Sequence, residues 1–223
     1  MSIAAVPSPQ LILIGGGARS GKSRFALGRA LALGDRRVFV ATAEALDHEM
    51  AQRIDRHRLE RGGSFRTIEE PLALGATLDE LDAVDVILVD CLTLWVSNLL
   101  LSGCATTPEQ RGDIFDSLMA ALERRRAHVL LVSNEVGMGV VPDQVLGREF
   151  RDAMGDLHQR LTSRATEIYA AVMGLVLRLH PAPVAVVMPP HPATEAAEPG
   201  PRHETSTLTS TPSPSSPPPS STA

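Results

Sequence analysis

Residues Gly16 to Ser23, GGARSGKS, fit the pattern G-x-x-x-x-G-K-[ST] in full. Glycines at such positions let a chain wrap so that successive backbone N–H groups point inward at phosphate oxygens. In that arrangement Lys22 reaches the β/γ-phosphates and Ser23 offers its hydroxyl to Mg²⁺. Lys22 is the chain's sole lysine: of 21 Lys+Arg, the other 20 basic residues are arginine. An ammonium is a compact point charge and a guanidinium a wide planar fork. A loop closed around phosphates resists the exchange of one for the other, whereas exposed positions do not. A second acidic element is expected to hold the metal. The run VILVD ends at Asp90, a carboxylate closing an aliphatic strand. The same aspartate could instead cap the helix that follows.

A third candidate is His57. In DHEMAQRIDRHRLERG, residues Leu46, Met50, Ile54 and His57 fall at spacings of four, four and three, one stripe of a helix. A histidine on such a stripe can be a hydrogen-bonded core residue. It can also be a nucleophile, because Arg53, Arg56, Arg58 and Arg61 crowd the same turns. Fixed positive charge there suits phosphates and keeps an imidazole neutral.

These residues need a scaffold that brings strand ends together. Between residues 10 and 180, apolar runs alternate with helical patterns. QLILIG, RRVFVATA, AVDVILVD and HVLLVSNEV read as strands. KSRFALGRALAL, the His57 segment (N-capped by Asp47), PLALGATLDEL, CLTLWVSNLLL, PEQRGDIFDSLMAALERRR and DQVLGREFRDAMGDLHQRLTSRATE read as helices. IYAAVMGLVLRL reads as two short strands pivoting near Gly174. Strands apolar on both faces and separated by helices predict an α/β fold, and with the glycine loop after the first strand the pattern resembles the P-loop NTPase, RecA-like type. Its sheet is mostly parallel, helices cover both faces, and a short antiparallel pair lies near the C-terminal end.

Composition bounds the rest. A hydrophobic content of 43% with 21% charged residues is that of a globular protein, and a net charge of -5 argues against a nucleic-acid surface. The basic run Arg124 to Arg126 closes a helix, where cations complement the macrodipole. Cys91 and Cys104 suggest free thiols in a reducing compartment. Residues 1–9 lack the pattern of a signal peptide, and no apolar run approaches the ~18 residues of a membrane span. A cytoplasmic enzyme without a membrane span is expected. Residues 181–223 are rich in Pro, Ser and Thr and are expected to be a disordered tail, in which the separated His191 and His203 make no metal site. Guanine-specific switch GTPases are expected to carry N-K-x-D, which a chain with Lys22 alone cannot contain.

The segments GGARSGKSR, ATA, EMAQRIDRHR, FRTIEEP, ILVDCLTLWVSNLL, VSNEVGMGVVP and REFRDAMGDLHQRL occur in one order across residues 10–180. In this the chain resembles the bifunctional adenosylcobinamide kinase / adenosylcobinamide-phosphate guanylyltransferases of cobalamin biosynthesis. The resemblance implies two reactions with ATP or GTP and Mg²⁺. The first phosphorylates the aminopropanol hydroxyl of adenosylcobinamide. In the second, His57 attacks the α-phosphorus of GTP, and the GMP-histidine passes its GMP to adenosylcobinamide phosphate, giving adenosyl-GDP-cobinamide. It further implies that Gly16, Gly17, Ala18, Arg19, Ser20, Gly21, Lys22 and Ser23 hold phosphates. Ala41, Thr42, Ala43, Arg58, Leu59, Glu60, Arg61, Glu69 and Asp90 would complete the nucleotide contacts. Some members carry a histidine just before the nucleophile, where this chain has Arg56. The loop Asn134 to Pro142 is expected near the corrinoid or a subunit interface, and a homotrimer is expected. A small-molecule kinase without guanylyl transfer, or a nucleotide-dependent switch, is the alternative that the loop alone permits.

Overall fold

The computed structural model describes residues 8–44 and 62–188. Their strands are β1 (Leu11–Gly16), β2 (Arg37–Ala41), β3 (Arg66–Glu69), β4 (Val86–Asp90), β5 (His128–Asn134), β6 (Glu167–Val172), β7 (Leu175–His180) and β8 (Ala185–Met188). Their helices are α1 (Lys22–Leu31), α2 (Leu74–Glu80), α3 (Leu92–Leu101), α4 (Pro108–Arg124) and α5 (Val145–Thr162). The segment that carries His57, Arg58, Leu59, Glu60 and Arg61, with the helix expected there, lies outside the described residues.

The strands form a single sheet in the order β3-β2-β4-β5-β1-β6-β7-β8. Pairing is parallel from β3 to β6 and antiparallel from β6 through β8. Alternation along each central strand divides the core in two. Leu11, Leu13, Val38, Val40, Ile87, Val89, Val129 and Leu131 pack on one face with Leu74, Leu92, Trp95, Phe115, Leu118 and Leu157 from α2 to α5. Ile12, Ile14, Phe39, Leu88, Leu130 and Val132 face the other way, against Ala26 and Ala30 of α1. Helices therefore cover both faces, as the doubly apolar strands predict. At the end of α4, Arg124 pairs with Asp79 and Arg125 donates to the carbonyls of Leu122 and Pro9. The arginine run thus serves a helix terminus.

Three boundaries differ from the sequence reading. β3 was given no element there: its residues are mostly exposed, and an edge strand lacks the continuous apolar signature of a central one. The last helix stops at Thr162, with Ser163 as C-cap, and Glu167 already belongs to β6. β8 falls inside the segment expected to be a tail. AVVM is apolar enough to pair with β7 despite its proline-rich flanks. Cys91 is buried and Cys104 exposed, both as free thiols. Among the described residues no helix is long and apolar enough to cross a membrane.

Candidate active site at the carboxyl edge of the sheet

The glycine loop joins β1 to α1. Gly16 sits at φ 151° against β6, where a Cβ would lie 2.5 Å from the Ala171 carbonyl oxygen and 2.9 Å from Ser20 Oγ. Only glycine fits that approach. Further on, Arg19 (φ 57°) and Gly21 (φ 94°) have positive φ while Ala18 and Ser20 beside and between them do not, an alternation that can turn successive N–H groups toward an anion. Gly21 is also the N-cap of α1 and makes no side-chain cap, so the first amides of that helix face the loop. Lys22 is 8% exposed, and its Nζ donates to the Gly17 carbonyl at 3.1 Å. Its charge also reaches the end of β4, where it acts on the Cys91 thiol.

The other candidates converge on the same edge because the strands are parallel. Register places Glu69 opposite Ala41, Ala41 opposite Asp90, Asp90 opposite Val132, and Val132 opposite Ile14. One row thus crosses β3, β2, β4, β5 and β1, two residues short of Gly16. Asp90 is not the cap of α3, since the N-cap is Cys91. Thr42 is fully buried; its hydroxyl donates to the Cys91 carbonyl at 2.7 Å and accepts from the Cys91 N–H at 2.9 Å. Its own carbonyl accepts from Asn98 Nδ2 at 2.8 Å. Thr42 therefore locks the end of β2 to the end of β4, with Ala41 and Ala43 on either side. Glu70 accepts from the N–H groups of Leu72 and Ala73 and from the Thr77 hydroxyl, which organises the start of α2. The neighbouring Glu69 is exposed at the strand end.

Sequence reasoning missed the other flank of the loop. A pocket of about 660 Å³ lies between the start of the glycine loop, β6, the β6–β7 turn and α5. His158 on α5 and Glu135 after β5 are its ionisable groups besides Arg19 and Tyr169. His158 Nε2 is 2.7 Å from Ser133 Oγ, and burial pushes its pKa down, so the imidazole is neutral at pH 7. Burial likewise pushes the Cys91 thiol up, which keeps it protonated. The one available signal for His158 was its place beside Met154, Leu157 and Leu161 on the buried stripe of α5.

A mostly parallel sheet with a glycine loop, a buried loop lysine and a carboxylate ending the second strand over defines a P-loop nucleotide-binding α/β protein. The family can be given more narrowly. Residues 12–179 match the model of the family described as cobinamide kinase / cobinamide phosphate guanyltransferase, and the chain belongs to that family. It is 44% identical over 173 residues to the bifunctional adenosylcobalamin biosynthesis protein CobP of Pseudomonas aeruginosa, covering 77% of this chain and 98% of that one. It is 41% identical over 182 residues to the bifunctional adenosylcobalamin biosynthesis protein CobU of Salmonella typhimurium, covering 76% and 99%. Against the protein of the same name from Escherichia coli the identity is 38%, with the same coverage.

Proposed function

We propose that the chain is a bifunctional enzyme of cobalamin biosynthesis. It phosphorylates adenosylcobinamide with ATP or GTP and transfers GMP from GTP to the adenosylcobinamide phosphate so formed, giving adenosyl-GDP-cobinamide. The observation that carries this reading is the shared edge: the phosphate loop with buried Lys22 stands in one line with Asp90, Ala41 and Glu69.

In the kinase step the substrate hydroxyl oxygen attacks the γ-phosphorus, the bond to the bridging oxygen breaks, and a nucleoside diphosphate leaves. The loop amides and Lys22 hold the triphosphate and meet the charge that develops on it. In the transfer step a neutral His57 nitrogen attacks the α-phosphorus of GTP and pyrophosphate leaves. A terminal, non-bridging oxygen of the acceptor's phosphate then attacks that phosphorus and displaces the imidazole, closing the P–O–P link of the product. Arg58 to Arg61 and Glu69 would contact the guanine nucleotide.

Ser23 and Asp90 would hold Mg²⁺. Among the described residues no group of three or more His, Cys, Asp and Glu side chains could hold a metal alone. One hydroxyl and one carboxylate nevertheless fit an ion that keeps waters and phosphate oxygens as its remaining ligands. When bound, Mg²⁺ neutralises charge on the phosphates. A homotrimer in the cytoplasm completes the proposal.

The test is covalent. GTP labelled in its α-phosphate should leave an acid-labile, base-stable adduct on the wild type and none on His57→Ala. Equal labelling of both proteins, or of neither, overturns the assignment to His57.

A further inference from the structure

The phosphate loop has two flanks. On one, the strands β5, β4, β2 and β3 end in Asp90, Ala41–Ala43 and Glu69, the residues read above as nucleotide contacts. On the other stand β6, its turn into β7, and α5, enclosing the pocket of about 660 Å³. Among the described residues, none of the proposed nucleotide contacts beyond the loop itself belongs to that second flank. A phosphoryl transferase needs its acceptor on the far side of the reacting phosphorus from the leaving group, so two substrates must approach one loop by different routes.

We propose that this pocket is the acceptor subsite and takes the aminopropanol-bearing edge of the corrinoid. The inference rests on the corrinoid reading of the function and names the surface that reading leaves open. The pocket's size is that of a site for a small ligand or one arm of a larger one. Its walls are mostly apolar, among them Ile168, Val172 and Leu179, and its floor is the glycine loop from Gly15 to Ser20. His158 and Glu135 supply polar atoms for the amide of the aminopropanol arm. Ser20 Oγ, at the floor, is buried and has no hydrogen-bond partner among the described residues.

Outside the pocket the apolar character continues. Met138 is 90% exposed, Val140 95% and Met173 93%. Met138 and Met173 both line the pocket mouth. Exposed apolar side chains at a pocket mouth, Met138 and Met173 here, suit an interaction site, and their flexible thioethers suit an irregular partner. A corrin ring, rimmed with methyl groups and amide arms and too large for the pocket, matches that division: one arm inside, the macrocycle on the rim.

The experiment uses the full chain, with γ-labelled nucleotide and adenosylcobinamide varied independently. Thr162 lies exposed at the end of α5 and lines the pocket, so Thr162→Trp fills it without touching the core. Met173→Asp puts a charge on the rim at a left-handed turn position that aspartate tolerates. Both variants should raise the corrinoid KM about tenfold or more and leave the nucleotide KM within about twofold of wild type. If the wild type turns over adenosylcobinamide and both variants keep its KM, the subsite falls and the function stands. A rise in nucleotide KM at constant corrinoid KM assigns the pocket to the donor's base and overturns the proposal. A wild type that phosphorylates no adenosylcobinamide removes the functional reading and the subsite with it.

Discussion

Replacing Lys22 by arginine keeps the charge and changes its shape, so it isolates the steric part of the argument about the loop. Lys22 is 8% exposed and its ammonium sits 3.1 Å from the Gly17 carbonyl oxygen, inside a turn closed by the Ser20 N–H to Gly17 hydrogen bond at 3.3 Å. A planar fork cannot occupy that space without opening the turn, and overpacking of this kind costs about 1–3 kcal/mol. Displacing the charge from the phosphoryl oxygens forfeits a preorganised donor, an effect of about 2.7–4 kcal/mol on the barrier, or roughly 100- to 1000-fold in rate. Lys22→Arg should therefore lose about 100-fold or more in phosphorylation of adenosylcobinamide, close to the loss in Lys22→Met. Both variants should remain folded, as checked by thermal unfolding. Because one loop serves both reactions in the proposed scheme, covalent labelling by GTP should fall in parallel. Retention of kinase turnover within about threefold of wild type would refute the reasoning, because the fork would then fit.

Two further expectations concern the frame around the loop. Thr42→Val removes both hydrogen bonds to Cys91 and leaves its buried N–H unmet, which should destabilise the protein by about 1–3 kcal/mol in urea unfolding; a change below about 0.5 kcal/mol would contradict the lock between β2 and β4. Tyr169 is the chain's sole tyrosine, so phenolate absorbance reports on it alone. Burial, the 2.7 Å hydrogen bond to Glu167 and the charge of that carboxylate push its pKa up to about 12. The fold thus favours the neutral phenol, a contribution fully present below the unfolded pKa of about 10 and lost as pH rises from there to the folded value. Glu167→Gln should shift the phenolate midpoint downward, and a wild-type midpoint near that of a free phenol would contradict this environment.

The elements that position the loop were legible because their signals are local. β1, β4 and β5 are short aliphatic runs buried on both faces, and the glycine pattern between β1 and α1 carries its own context. β3 was not legible, since an exposed edge strand of four residues looks like loop until β2 is present to pair with it. The order of strands was not legible either. Nothing in the chain near Asp90 states that β5 comes between β4 and β1, yet that insertion sets the distance from the carboxylate to the loop. His158 and Ser133 lie 25 residues apart and meet only through the packing of α5 against β5. The second flank of the site is for that reason a product of tertiary structure.

Strand order also constrains how GTP could lie. Glu69 stands four strand steps from β1 and Asp90 two, roughly 19 Å and 10 Å at the usual strand spacing. With the terminal phosphates in the loop, a nucleotide whose base contacts Glu69 would run along the edge past Asp90 and Ala41. In sequence His57 falls between β2 and β3, and β2 terminates at Ala41 on the carboxyl edge. Were the acceptor to enter from the pocket beside β6, it would meet the phosphate loop from the flank opposite Asp90 and Glu69. The proposed scheme asks one loop to serve two phosphorus centres, and parallel pairing from β3 to β6 gives that loop a neighbouring strand end on each side along one edge.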